Sequence, residues 1–344
     1  MDRTGSGVVR QINSLGIRLL AGGLLMGGLA TAAAAQNFEL KVSTFLPPNH
    51  TFQKALTAWG QELGQKSGGR LKLRIYPAAQ LGPPNRQFDL ARTGIADIAV
   101  GLHGLTPGRY PLTELVTMPY TAPSAGAISA ITGKRLTELA PKYLAKEHAG
   151  LHILWMAVTP PLMFISKPPI NTFDDFKGMK VRYAGANWKA IIDKLGAVGL
   201  PVPPTQTQDA LAKGIVEAAT FPYEGAASFD LGTVAKYSLE PGVASATFAV
   251  VMNEAKYKSL PADLRKIIDQ TTGPARAEWF GKMWDQAEIA GKKSLEAKGL
   301  KPIQMGAAEF AKMKKTLAPL VEEAIAKVGK MGLPAKAFYA AYTK

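Results

Sequence analysis

Arg182, at the carboxyl end of the short apolar strand Met179-Lys-Val-Arg-Tyr183, is the residue best placed to hold a charged small molecule. A guanidinium offers a rigid fork of donors that matches a carboxylate bidentately and stays ionised at physiological pH, which a lysine does less well. Open α/β folds bind ligands outside the carboxyl ends of their strands, where Arg182 falls. The competing reading is a structural salt bridge to Asp174 or Asp175, in the turn just upstream. Asn49 and His50, in the loop Leu46-Pro-Pro-Asn-His50, and His103, in Gly101-Leu-His-Gly104, are further candidates because each loop follows a strand. Their competing reading is ordinary surface loop.

Enzyme chemistry finds less support. An exported hydrolase is the natural rival, but neither a G-x-S-x-G elbow nor an H-E-x-x-H metal pair occurs; a close carboxylate couple is left open. His148 and His152 are spaced for one helix face, yet Gly150 and the following strand break that helix, so no metal site is expected. Gly133-Lys134 lacks the glycine and the hydroxyl residue of a phosphate loop, with Ile128 and Arg135 in their places, and no cofactor is expected.

The elements that carry these residues alternate between strand and helix. Phe38–Phe45 reads as a strand, and Phe52, Leu56, Trp59 and Leu63 recur at helical spacing. Leu71–Tyr76 alternates as a strand, Arg86–Thr93 as a short helix, and Ile95–Val100 as another strand. The order repeats from Leu151–Val158 onward, through the strand Met179–Tyr183 and a helix from Trp188 to Leu195. Leu90-Ala-Arg-Thr-Gly-Ile-Ala-Asp and Leu211-Ala-Lys-Gly-Ile-Val-Glu are similar helix ends with a glycine cap leading into a strand. The fold class expected is α/β, two similar lobes with mostly parallel sheets and a hinge cleft. Lobe I comprises 36–157 plus 247–344, and lobe II 158–246. From Leu260 the chain is helical, with an apolar stripe through Leu264, Ile268, Phe280 and Trp284 and a further helix from Phe310 to Val328, long enough to brace both lobes. The aromatic stripe reads as core packing.

Residues 1–35 carry Arg3, Arg10 and Arg18, an apolar run from Leu19 to Ala30, and small residues up to Ala35, the layout of a cleavable secretory signal. The run is shorter than the roughly 20 residues that span a bilayer, so the remainder is expected not to be membrane-embedded. The 344 residues contain no cysteine, which excludes a lipid anchor at the cleavage site and any disulfide, and a periplasm is the expected compartment. The whole chain has net charge +15; without the leader, 38 basic against 25 acidic residues leave +13. The lysines are spread over helical faces rather than interleaved with aromatics, so no nucleic-acid partner is expected, and the field instead raises the local concentration of small anions.

Gly69-Arg-Leu-Lys-Leu-Arg-Ile-Tyr-Pro-Ala-Ala-Gln-Leu-Gly82, Gly94-Ile-Ala-Asp97, Phe173-Asp-Asp-Phe-Lys-Gly-Met-Lys-Val-Arg182 and Leu211–Glu217 resemble, in that order, motifs of the periplasmic solute-binding proteins of tripartite ATP-independent periplasmic (TRAP) transporters. The resemblance covers essentially all of the chain after the leader. It implies a non-enzymatic protein that holds a small organic carboxylate between two α/β lobes and delivers it to integral membrane subunits. It also implies that Arg182, at the place of the family's strand-end arginine, pairs with the carboxylate. Two departures bear on the ligand. Where many relatives resemble one another in a second arginine, this chain has Thr159-Pro-Pro161, and where a polar asparagine is common it has Thr220-Phe-Pro-Tyr-Glu224. A second buried carboxylate would lack a partner, at a cost of several kcal/mol, whereas an apolar body gains roughly 25 cal/mol per Å² buried. The ligand expected is a monocarboxylate with an apolar or aromatic body, contacting Phe221 and Tyr223; the alternatives are a four-carbon dicarboxylate or another organic acid, with the two aromatics merely packing the lobe interface.

Overall fold

The computed structural model describes residues 36–123 and 126–344; the expected leader, 1–35, lies outside the described residues. Among the described residues, eleven strands are arranged in two sheets: β1 (Phe38–Thr44), β2 (Leu71–Tyr76), β3 (Ile98–Leu102), β4 (Leu151–Val158), β5 (Leu162–Ser166), β6 (Lys180–Arg182), β7 (Val198–Leu200), β8 (Ala218–Phe221), β9 (Tyr237–Ala244), β10 (Thr247–Asn253) and β11 (Lys301–Gln304). The first sheet has the order β2-β1-β3-β10-β4 and the second β11-β9-β5-β8-β6-β7. The pairings within β2-β1-β3, β8-β6-β7 and β9-β11 are parallel, while β10 runs antiparallel to β3 and β4, and β5 to β8 and β9. The antiparallel strands are those beside the two short crossings between sheets, Thr159–Pro161 and Ser245–Ala246; a third crossing, from β10 to β11, runs through helices. The crossings hold each other, Thr159 N–H donating to Ala246 O (3.0 Å) and Ala246 N–H to Thr159 Oγ1 (2.9 Å).

The internal repetition takes physical form at the strands that reach the cleft. Pro84–Arg86 and Gln87–Arg92 precede β3, and Pro204–Gln206 and Thr207–Ala212 precede β8, each a tight turn running into a short helix. Gly94 (φ +76°) and Gly214 (φ +70°) then reverse the chain into the strand, a left-handed conformation that glycine adopts without Cβ strain. Both central strands are fully buried, as expected for strands covered on both faces.

Local details differ from the sequence reading. The strand expected at Ile95–Val100 begins at Ile98, because Ala96 N–H turns back to Leu90 O and Asp97 accepts from Lys41 N–H, delaying the ladder with β1. The stretch from Phe310 to Val328 is two helices, Ala307–Leu317 and Pro319–Gly329; Pro319 cannot donate to the preceding turn. Likewise Gly273 (φ +79°) and Pro274 separate Ala262–Thr271 from Pro274–Ala297. The segment 247–344 does not stay with the first sheet: β11 pairs with β9 in the second.

The helix Pro274–Ala297, 24 residues, reaches both halves. Its Asp285 accepts from Ser129 and Ala130 N–H (2.9 and 3.2 Å) at the start of the helix Ile128–Tyr143, and its Glu288 accepts from Tyr223 and Glu224 N–H (2.7 and 2.9 Å) at the start of the helix Tyr223–Ser228. Each carboxylate supplies acceptors to the unpaired donors of a helix N-terminus. Close approach needs missing side chains: a Cβ on Gly281 would collide with the Ala130 backbone, and one on Gly291 would lie 2.8 Å from the Glu224 backbone.

Candidate functional site

Strand β6 ends at Arg182, and the side chain is held inside the fold rather than in solvent, being 2 % exposed. Nε donates to Val202 O (2.9 Å) and Nη1 to Thr220 O (3.1 Å), while Nη2 is buried and has no partner. The guanidinium sits 4.4 Å above the centre of the Phe221 ring. Burial lowers its pKa to about 9, which leaves it cationic at neutral pH. Neither upstream aspartate reaches it: Asp174 pairs with Lys312 (2.9 Å), and Asp175 accepts from Asn171 and Thr172 N–H (2.8 and 2.9 Å). Arg182 therefore has no carboxylate partner among the described residues. A buried cation with a spare donor, oriented by two carbonyls, has the chemistry to hold an anion.

The guanidinium opens on a narrow cavity of about 40 Å³ between the two sheets. Phe45, just past β1, and Phe248 of β10 wall it on one side, Phe221 of β8 and Phe229, just past the helix Tyr223–Ser228, on the other, and Trp284 from the long helix. His50 also lines it, capping the helix Thr51–Lys66 by accepting from Phe52 N–H through Nδ1 (3.2 Å), with Nε2 3.2 Å from Glu224 Oε2. Burial lowers the His50 pKa against the opposing pull of Glu224, and the accepting Nδ1 places the ring proton on Nε2. Glu224 in turn accepts at Oε1 from Thr51 N–H and Oγ1 (both 2.8 Å), tying the helix Tyr223–Ser228 to the helix that follows β1.

Other expected residues lie elsewhere. Tyr223 faces a separate cavity of about 670 Å³, its Oη bonded to Ser238 Oγ (2.8 Å) and Glu240 Oε1 (2.5 Å). Pro222 ends β8 and starts a helix, so the alternation of side chains that would keep Phe221 and Tyr223 together stops there. His103 is turned into the interior of the first half, Nδ1 2.9 Å from Thr247 O and Nε2 3.0 Å from His148 Nε2, packed on Phe88 and Tyr110. Burial holds the His103 pKa well below its ordinary value and that of His148 at about 4. Asn49 is exposed on its loop and does not line the cavity. His152 stacks on Tyr257 instead of meeting His148, and Pro161 lines the Tyr223 cavity, offering no cation there. Trp284, expected as core packing, is buried in the core and also lines the cavity, whereas Phe45 and Phe248 were not singled out as lining residues. Phe45, directly after β1, carried the same strand-end signal as His50.

A wider groove of about 810 Å³ lies outside, between the Gln80–Asn85 and Gly104–Leu105 loops on one side and Tyr183–Ala186 and Pro201–Gln206 on the other. The two halves touch there, since a Cβ on Gly104 would lie 2.9 Å from Ala184 O. Among the described residues no helix is long and apolar enough to cross a membrane.

Residues 42–327 match the family model of bacterial extracellular solute-binding protein, family 7 (DctP). A curated relative, "Outer membrane transporter protein TsaT" of Comamonas testosteroni, is 27% identical over 313 residues, covering 89% of this chain and 91% of that one. The crystal structure of a TRAP solute-binding protein from Rhodoferax ferrireducens, in complex with copurified benzoate, superposes with a TM-score of 0.85 at 27% identity, over 89% of this chain and 97% of that one. A marine-metagenome TRAP solute-binding protein specific for aromatic acid ligands, holding 3-hydroxybenzoate, gives a TM-score of 0.85 at 27% identity, over 90% and 97%. With a two-sheet α/β fold and a family match spanning most of its length, the chain belongs to family 7 of the bacterial extracellular solute-binding proteins and is a TRAP solute-binding protein, not an enzyme.

Proposed function

We propose that this protein captures an aromatic monocarboxylate in the Arg182 cavity and hands it to the integral membrane subunits of a TRAP transporter. The observation that carries the reading is the buried guanidinium with one unpartnered nitrogen, in a largely apolar cavity whose lining includes five aromatic rings. Aromatic walls favour a flat apolar body through burial and edge-to-face contacts. A four-carbon dicarboxylate would bring a second charge to a wall whose other titratable group, His50, is held neutral by burial. The benzoate and 3-hydroxybenzoate found in the two similar structures support the same ligand class. Phe221 acts as the platform under the guanidinium. Residues 1–35 are a secretory leader, removed to release a periplasmic protein in which 36–157 plus 247–344 build lobe I, lending β11 to the sheet of lobe II, 158–246.

The test is calorimetry with benzoate, an aliphatic monocarboxylate and succinate, beside mass spectrometry of whatever acid copurifies. Benzoate is expected to bind tightest. Preference for succinate would overturn the reading.

A further inference from the structure

The two halves also meet away from Arg182. Glu114, the last residue of the short helix Pro111–Glu114, is 8 % exposed, and its Oε1 is buried with no hydrogen-bond partner. It lines a pocket of about 10 Å³, room for one water at most, walled by Leu102, Gly104 and Thr247 from the first half and by Ala184–Ala186 and Trp188 from the second. No basic side chain lines that pocket. Beside it Asn187 Nδ2 donates across the contact to Glu114 O (2.7 Å) and Thr117 Oγ1 (3.0 Å). An acid is thus enclosed at the seam between the halves with no cation to receive its charge. Either neutralising it or parting the halves relieves that cost.

We infer that Glu114 takes up one proton when the halves close on a ligand, so that capture of the carboxylate is linked to pH. Burial, reinforced by the nearby Glu147 carboxylate, raises the Glu114 pKa to about 7 in the closed arrangement, while Lys327 pulls the other way. Glu147 itself accepts from Leu112 and Thr113 N–H, and His103, on the turn packed against the same helix, is held neutral by burial. From the second half comes the N-terminus of the helix Ala186–Lys194, whose dipole favours the anion by less than about tenfold in the ionisation constant. Lys189 of that helix is paired with Asp193. When the halves part, the wall Ala184–Ala186 withdraws and water reaches the carboxyl, returning its pKa towards the ordinary 4.5. A pKa higher in the closed than in the open state makes closure tightest in acid, and the gain is lost as pH rises through about 7. The inference rests on capture in the Arg182 cavity, and not on which carboxylate is captured.

The experiment is titration calorimetry of benzoate into the mature protein and into Glu114→Gln between about pH 5.5 and 8.5, where a carboxylic acid of pKa near ~4 stays ionised. Runs at about pH 6 in buffers of different ionisation enthalpy count the protons taken up. Wild-type affinity is expected to fall about tenfold or more between about pH 5.5 and 7.5, with nearly one proton taken up at about pH 6. Glu114→Gln, a neutral isostere of the protonated acid, should vary by no more than about twofold over that range and bind tighter than the wild type at about pH 8. If that variant does not fold, the wild-type proton count decides alone. Wild-type affinity constant within about twofold, with no proton taken up, overturns the inference. So does a slope that survives in Glu114→Gln, which would belong to another buried acid such as Glu288. If benzoate fails at every pH while succinate binds, the aromatic-acid reading falls, and the proton count is read with succinate after correction for its own second ionisation. Binding of neither overturns both.

Discussion

At the residue scale, Arg182 was legible as a candidate because its chemistry and its place in a strand agree. Arg182 is at the end of β6, and only a guanidinium can donate to two carbonyls and still hold a nitrogen in reserve. Replacing it by alanine should weaken carboxylate binding by roughly 2–5 kcal/mol, and lysine should restore only part, since a point charge cannot reproduce a paired contact. Calorimetry measures both, and undiminished binding by Arg182→Ala would remove the anchor. The histidines show what a sequence conceals. His50 and His103 both follow strands, yet one lines the cavity and the other is drawn inward by His148, distant in sequence. No local pattern reports such a partner. Tyr223 was lost for a nearer reason, the change from strand to helix at Pro222.

At the element scale, apolar patterning located β1, β2 and β4 almost to the residue, β2 by its alternation and β4 by a continuous apolar run that is buried over most of its length. β11 escaped notice: Lys301-Pro-Ile-Gln304 is short, polar and proline-bearing, as suits the outermost strand of a sheet, and only its pairing with β9 makes it a strand. Length and stripe suggested that the helix Pro274–Ala297 braces the halves, but its mode of packing was not readable. Glycines there acquire meaning only beside the backbones they face. Gly281→Ala should destabilise by about 1–3 kcal/mol, because the obstacle is the Ala130 main chain and no side chain can move aside. Gly329→Ala, in open space, should change stability by less than about 1 kcal/mol. Urea titration compares the two; equal effects would sink the close-packing argument.

At the scale of the whole molecule, the two halves are joined by two short crossings and one long helix, and they meet again around the cavity. Ligand contacts on both walls favour the closed arrangement, so the radius of gyration in small-angle scattering should fall when a tight aromatic acid is added. An unchanged radius would count against a hinged trap. The repeated turn-helix-strand units made the two-lobe plan visible in the sequence, and the chain was expected to return to lobe I at 247, where β10 begins, whereas the passage of β11 to the other sheet was not, since strand pairing over long separations leaves no local trace. That exchange bears on how the chain folds. β10 occupies the place between β3 and β4, yet it emerges only after β5 to β9 of the other sheet. The first sheet thus stays open until late, and such non-local closure slows folding. If the proposed leader carries the chain through a membrane unfolded, such a delay would keep it threadable during passage and postpone its collapse to the far side.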